Sequence, residues 1–212
     1  KLPDYINKMI ENNWLGQKTK QGFYKKIDKG IIHSLNLEKL EYTPMIKKRY
    51  AAFALAKEKT YLKDRLYAIV RSDDIAGEFL WKTFSRTLIY SANLVGTIAN
   101  DVFSIDRAMK WGFGWELGPF EVLDAIGLDY FITRCKKDSI NIPNWLTDLQ
   151  SNNINSIYTY LDGKKYYYNI EANDYTELLQ HEKHINYITY KSKNNIIDKN
   201  WSASLIDLED GV

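Results

Sequence analysis

The apolar positions of this chain fall into short runs at helical spacing, broken by glycine and proline. The spacing predicts a short helix over residues 3–13, with Pro3 suited to its first turn. The stretch WLGQKTKQGFYKK (14–26) follows, broken by Gly16 and Gly22, with Phe23 and Tyr24 able to anchor an extended strip. Residues 27–43 show no sustained period and read as a linker or loose loop. Pro44 is placed to open a helix reaching about Lys57, and a second helical segment covers roughly 60–71. The longest helix is expected from Ser72-Asp73-Asp74 to about Ala99. Ile75, Phe79, Leu80, Phe84, Leu88, Val95 and Ile98 recur there at three- to four-residue steps. Asp73, Asp74 and Glu78 favour the positive end of its dipole, and Ser91, Ala92, Gly96 and Ala99 are small enough to admit a neighbouring helix.

Ser104 reads as the N-cap of the next helix. Ile105, Ala108, Met109 and Gly112 mark its apolar face. A glycine-rich turn leads to another helix opened by Gly118-Pro119 and closed by Gly127, in the place of a left-handed cap. Helices are expected over 128–137 and, after Pro143, over 144–151. Beyond residue 152 the pattern shifts to alternation. Eight of the sixteen tyrosines lie between 158 and 190. SIYTYL and KKYYYNI flank Asp162-Gly163, a strong hairpin signal, and SLIDL reads as a last strand. GQKTKQGFYKK (16–26) and YTYLDGKKYYYN (158–169) form a weak internal repeat, each suited to closing a helical unit.

Composition adds limits. The chain has 212 residues, 45% apolar and 26% charged, enough for one domain of good core size and an appendage. The net charge of +2 gives no reason to expect nucleic acid. Residues 1–134 carry 21 basic and 16 acidic groups and the remainder 8 and 11, a change of sign that places a boundary near residue 140. The single cysteine, Cys135, cannot form an internal disulfide, which fits a reducing cytoplasm and excludes a cysteine-based zinc site. No apolar run approaches the roughly 18 residues needed to span a membrane, and no signal peptide is visible. The chain starts at Lys1 and stops after Asp210-Gly211, and reads as a piece of a longer protein.

The chemistry-bearing residues are few. Gly112-Phe113-Gly114 follows a helix rather than a strand, and the next glycine, Gly118, comes one position late for the dinucleotide fingerprint. A tight helix-to-helix turn is the simpler reading. His181 and His184 are three apart, a spacing that can place two metal ligands on one helix face. Their polar surroundings read instead as a solvated segment, and no metal site is expected. His33 has no partner nearby. Glu116, Glu121 and Asp124 cluster at the motif turn, where Glu121 suits the helix N-terminus better than a general acid–base role. Trp111, Phe113, Trp115 and Phe120 surround the turn, either lining a cleft or wedging two helices together. The lysines of 18–26 and 47–59 suit either the phosphates of a CoA or plain solvation.

SIDRAMKWGFGWELGPFEVLDAIGLD (104–129) resembles the C-terminal helical domain of 3-hydroxyacyl-CoA dehydrogenases. The resemblance rests on Arg107, Ala108, Met109, Gly112, Gly114, Gly118, Pro119, Phe120, Asp124, Gly127, Leu128 and Asp129. WLGQKTKQGFYKK is similar to the family's closing strip, with Lys20 where that pattern has a glycine. The resemblance implies a mainly α fold, a helical bundle of the 6-phosphogluconate/3-hydroxyacyl-CoA dehydrogenase C-terminal-domain type with a small β-hairpin appendage. It implies that 1–30 closes a preceding helical copy, 31–60 is a linker and leading helix, 61–152 is a second copy, and 153–212 is a β appendage leading to a further domain. Such an order resembles long multifunctional enzymes that join a Rossmann domain, two helical copies and a crotonase-type hydratase domain.

The implied activity is NAD-dependent oxidation of 3-hydroxyacyl-CoA to 3-ketoacyl-CoA in fatty-acid β-oxidation, in the cytoplasm. NAD and the catalytic His-Glu pair belong to the Rossmann domain, so no catalytic residue is expected here. The implied partners are the Rossmann and crotonase-type domains, acyl-CoA, and a second subunit in a homodimer; nucleic acid and membrane are not implied. Ser85 falls where the family has an active-site Asn, and is the one substrate-proximal candidate. Glu116 stands where many members have Pro. Both departures point to a second reading, a non-catalytic scaffold that joins dehydrogenase and hydratase domains.

Overall fold

The computed structural model describes residues 2–162, 164–179 and 196–208, in two compact units, 1–49 and 50–212. The pair His181/His184 lies outside the described residues.

The first unit starts with α1 (Asp4–Glu11), entered through Pro3. Met9 is its buried residue. A single 3₁₀ turn at Gln17–Thr19 follows. Then β1 (Tyr24–Asp28), β2 (Ile31–Asn36) and β3 (Glu41–Pro44) form an antiparallel meander. Strands therefore occupy the span read as a loose loop, and Pro44 ends a strand instead of opening a helix. The signal was weak because most of these side chains face solvent, so little apolar alternation marks them. The second turn is set by Asn36, whose side-chain oxygen accepts the Glu38 and Lys39 N–H groups at 3.0 Å each, an Asx turn.

The second unit contains α2 (Ala51–Lys57), α3 (Leu62–Val70), α4 (Ile75–Leu94), α5 (Val102–Phe113), α6 (Pro119–Ile126), α7 (Leu128–Lys137) and α8 (Asn144–Ser151). A meander of β4 (Tyr158–Leu161), β5 (Lys164–Asn169) and β6 (Asp174–Glu177) follows, then the hairpin β7 (Ile196–Lys199) and β8 (Ser204–Ile206). Among the described residues the fold is thus mixed: eight helices and three small antiparallel sheets, where a mainly α bundle with one hairpin was expected. The hairpin at Asp162 is present but gains a third strand, because Asn169 builds a second Asx turn with Glu171 and Ala172.

Capping fixes the helix ends. Asp74 caps α4, accepting from the Ala76 and Gly77 N–H groups at 3.0 and 2.9 Å. It also accepts the Ala52 N–H of α2 at 2.9 Å, so one carboxylate ties two helices together. α4 stops at Leu94, short of Ala99, because the chain folds back and the Thr97 and Ile98 N–H groups reach the Leu94 carbonyl.

The core centres on α6, which packs against α3, α4, α5 and α7. Of its eight residues only Asp124 is not fully buried, so the helix is enclosed on nearly every side, its Glu121 carboxylate included. Trp81, Leu88, Val102, Phe131, Leu146 and Ile157 join its Phe120, Leu123 and Ile126 in one apolar cluster.

Candidate functional site: the turn between α5 and α6

Asp101, not Ser104, caps α5; its carboxylate accepts the Ser104 N–H at 2.6 Å. The buried face of α5 is consequently Val102, Ile105 and Asp106, with Ala108 and Gly112 exposed. The face is rotated from the one expected, and it carries a charge inward. α5 ends at Gly114, in the left-handed region at φ 68°, where a glycine avoids the Cβ penalty. Gly127, expected to be a left-handed cap, lies instead at φ 96°, ψ 118°, a joint between α6 and α7.

Gly118 is the N-cap of α6, and Pro119 holds the first helical position. A glycine has no side chain to receive the free N–H groups of the first turn. Asp106 supplies the acceptors from the neighbouring helix: Oδ1 takes the Phe120 N–H at 2.8 Å and Oδ2 the Glu121 N–H at 3.1 Å. A Cβ at Gly118 would overlap the Asp106 side chain. The glycine and the aspartate therefore form one device, a cap delivered across two helices.

Three carboxylates of this region reach outward to the meander. Asp106 Oδ2 also accepts the Tyr158 hydroxyl at 2.8 Å. Glu121 accepts the Gly118 N–H at 3.1 Å and ion-pairs with Lys110 and Lys165, both at 2.9 Å. Lys165 also lies over the Tyr158 ring, 4.2 Å from its centroid. Asp124 accepts the Ile157 and Tyr158 N–H groups at 2.6 and 2.8 Å. The three acids therefore join α5, α6, β4 and β5.

Burial sets their protonation apart. It raises Asp106 to about 7, against the Phe120 N–H and Tyr158 hydroxyl bonds that favour the ion. It raises Asp124 to about 6 against its two N–H donors. Burial also works to raise Glu121, but Lys165 and Lys110 outweigh it and hold the carboxyl at about 2. Burial, then the neighbouring Asp106, raises the Tyr158 hydroxyl well above its ordinary value. Asp106 thus titrates where a general acid–base group would, yet it is 2% exposed and already committed to three donors.

The remaining candidates are dispersed. Phe120 is buried and tilted against Trp145, centroids 6.1 Å apart. Trp111 and Phe113 face outward, and the Arg107 guanidinium lies over the Phe103 and Trp111 rings. Glu116 is exposed and makes no contact with Glu121 among the bonds of the described residues. His33 sits on β2 opposite Lys25. Ser85 lies on α4, 1% exposed, its hydroxyl donating to the Lys82 carbonyl at 3.5 Å. Gly112-Phe113-Gly114 closes the C-terminal end of α5, where carbonyls and the negative end of the dipole point outward. That polarity does not suit a pyrophosphate. Among the described residues no group of three or more His, Cys, Asp or Glu is placed to hold a metal ion. None of the helices there is long and apolar enough to cross a membrane.

Asp106, Lys110, Tyr158 and Lys165 escaped sequence reasoning as site residues. One signal pointed to Asp106: it lies four positions after Val102, on the same helical face.

Comparison with known proteins agrees with the motif. Residues 81–137, from the middle of α4 to the end of α7, match the family "3-hydroxyacyl-CoA dehydrogenase, C-terminal domain". The chain is 40% identical, over all 212 residues, to a Bacillus subtilis protein named "Probable 3-hydroxyacyl-CoA dehydrogenase", covering 26% of its length. Proteins of Rickettsia prowazekii and Rickettsia felis, each named "Putative fatty acid oxidation complex trifunctional enzyme", are 31% and 29% identical over 142 residues. Those matches cover 65% of this chain and 18% of each relative. The chain thus spans about a quarter or less of these relatives. No solved structure matches. Residues 81–137 thus match the C-terminal domain of 3-hydroxyacyl-CoA dehydrogenases, and the chain is homologous over its length to a probable 3-hydroxyacyl-CoA dehydrogenase and in part to putative trifunctional enzymes of a fatty acid oxidation complex.

Proposed function

We propose that this chain is the central helical part of a longer NAD-dependent 3-hydroxyacyl-CoA dehydrogenase of fatty-acid β-oxidation. In that reading 61–152 is a helical dehydrogenase-type domain that packs against a Rossmann domain, supports the acyl-CoA cleft and contributes to dimer contact. NAD, which would take the hydride, and the residues that abstract the 3-hydroxyl proton lie outside it. The observation carrying this reading is the match over 81–137, which contains the whole α5–α6 device and Ser85.

The second reading, a scaffold without substrate contact, draws on a different observation. Ser85 is 1% exposed, and Asp106, Glu121 and Asp124 spend their oxygens on internal donors. Such a cluster holds elements together, with every carboxylate oxygen already engaged by an internal donor. Calorimetric titration of the chain with acetoacetyl-CoA, and separately with NAD, separates the two. The cleft reading expects CoA-ester binding without NAD, weakened at least several-fold by Ser85→Ala. The scaffold reading expects neither ligand to bind. Formation of NADH from 3-hydroxybutanoyl-CoA by the chain alone would sink both.

A further inference from the structure

A cleft of about 870 Å³ lies wholly within the first unit, in the size range of small-molecule sites. Local geometry builds it. Tyr24 and Lys26 share one face of β1, and Lys26 is paired with Ile32 of β2. Alternation along a strand would turn Ile27 to the opposite face. The register of β1 and β2 instead shifts between Lys26 and Asp28, and this bulge leaves Ile27 unpaired and lining the cleft beside its neighbours. Phe23 completes the apolar wall. The rest of the wall is the loop that holds the 3₁₀ turn. Its Gly16 N–H donates to the Gln21 carbonyl at 2.9 Å, and the Leu15 N–H donates to the Thr19 hydroxyl at 3.0 Å. Gly22 packs so closely on Gly16 that a Cβ there would lie 2.9 Å from the Gly16 Cα. Such a loop is ordered before any ligand arrives.

The apolar side chains of this cleft stay open to solvent: Phe23 is 47%, Tyr24 62%, Ile27 51% and Ile32 47% exposed. Apolar groups gathered in this way mark a binding surface. Lys20, Lys26 and Lys29 also line the cleft, and among the described residues none of them is ion-paired. The acid beside them, Asp28, already accepts the Lys29 N–H at 2.7 Å. Lys20 occupies the left-handed region, φ 68° and ψ −6°, where glycine is the unstrained residue. The chain bears backbone strain at that position and places a cation at the cleft wall, a pairing typical of functional positions. Apolar groups in a hollow, with unpaired cations at its wall, suit an aliphatic chain that carries an anionic head.

We infer that this cleft binds a single amphiphile with an aliphatic tail and a carboxylate or phosphate head. The tail lies against Phe23, Tyr24, Ile27 and Ile32, and the head among Lys20, Lys26 and Lys29. The site belongs to the first unit, whereas the α5–α6 turn and Ser85 belong to the second. The inference therefore rests on neither reading of function given above.

The test is calorimetric titration of the chain with decanoate, dodecanoate and dodecyl phosphate, each below its micelle concentration. All three should bind saturably at one site, and the tighter dodecyl head names the source, a fatty acid or a lipid phosphate. Decanol and decyltrimethylammonium should bind about tenfold more weakly than decanoate, lacking the charge-assisted bonds to the lysines. Decanoate itself should bind about tenfold more weakly than dodecanoate, because its shorter tail leaves part of the apolar wall bare. Lys20→Gly should weaken dodecanoate about threefold and yet raise the melting temperature, since it removes a cation and relieves the strained backbone. A purely structural lysine would move the melting temperature alone. Ser85→Ala should leave dodecanoate binding unchanged, which separates this inference from the acyl-CoA cleft reading. Absence of saturable binding, equal binding of decanol, or a Lys20→Gly variant that binds as tightly as the parent each overturns it. So does binding to phosphatidylglycerol vesicles without binding of monomeric dodecanoate, which would assign the face to a bilayer. Loss of dodecanoate binding in a longer natural chain that includes residues 1–212 would make the cleft a face covered by another domain, and equally overturns it.

Discussion

Asp106 and Gly118 depend on each other in a way that few single residues do. The carboxylate substitutes for the side chain that an N-cap glycine lacks, and the glycine leaves the room for it. Gly118→Ala should therefore cost more than a change of backbone propensity. Its Cβ would push Asp106 off two N–H groups in the interior, and unsatisfied buried donors cost roughly 1–3 kcal/mol each. Gly114→Ala is the control: it sits in open space at φ 68° and should cost about 1 kcal/mol. Chemical denaturation should rank Gly118→Ala well below Gly114→Ala in stability. Equal losses would show that the cross-helix cap contributes little.

Among the elements, α6 and the β4–β6 meander are the coupled pair. The helix is too buried to use water for its polar groups, so its carboxylates take partners from the sheet. Lys165 is the clearest link, its side chain 13% exposed and ion-paired to a Glu121 that is 10% exposed. Removing one partner of a buried pair leaves an uncompensated charge, at a cost of roughly 3–5 kcal/mol in the deepest cases. Lys110 remains as a second cation for Glu121, so Lys165→Met should cost about 2 kcal/mol, below that range. The loss should appear as faster amide exchange across β4 and β5, with helix content in circular dichroism unchanged. Uniform destabilisation without that local signature would mean that the pair does not hold the sheet.

For the molecule as a whole, the three acids give stability two opposing dependences on pH. Asp106 and Asp124 have folded values raised to about 7 and about 6 from an ordinary 3.8. The folded state binds their protons more tightly, so their contribution is full below about pH 4 and is lost as pH rises through 6 and 7. Glu121 is lowered to about 2 from 4.5. Its contribution is full above about pH 4.5 and is lost as pH falls towards 2. Thermal melting across pH 3 to 9 should therefore show a maximum in the mildly acidic range. Asp106→Asn should flatten the fall on the alkaline side and leave the acid side in place. A profile whose alkaline limb is unaffected by that substitution would remove Asp106 as its cause.

The sequence by itself determined the features that depend on neighbours a few positions apart. Pro119 opens a helix because its missing N–H is spare in a first turn, Asp74 caps the helix that follows it, and Asp162 marks a two-strand turn. It also carried the family resemblance over 104–129. Tertiary structure decided what depends on approach between distant segments. The cap of α6 comes from Asp106, fourteen positions before the N–H it meets, and no local rule reports an acceptor on another helix. The strands of 24–44 exist although their faces are largely exposed, because one asparagine sets the turn and pairing supplies the rest. The role of Asp124 was fixed only when the chain entering β4 arrived thirty-three residues later to offer the Ile157 and Tyr158 N–H groups. A capping residue two or three positions away is written in sequence; a buried carboxylate finds its donors only where packing brings them.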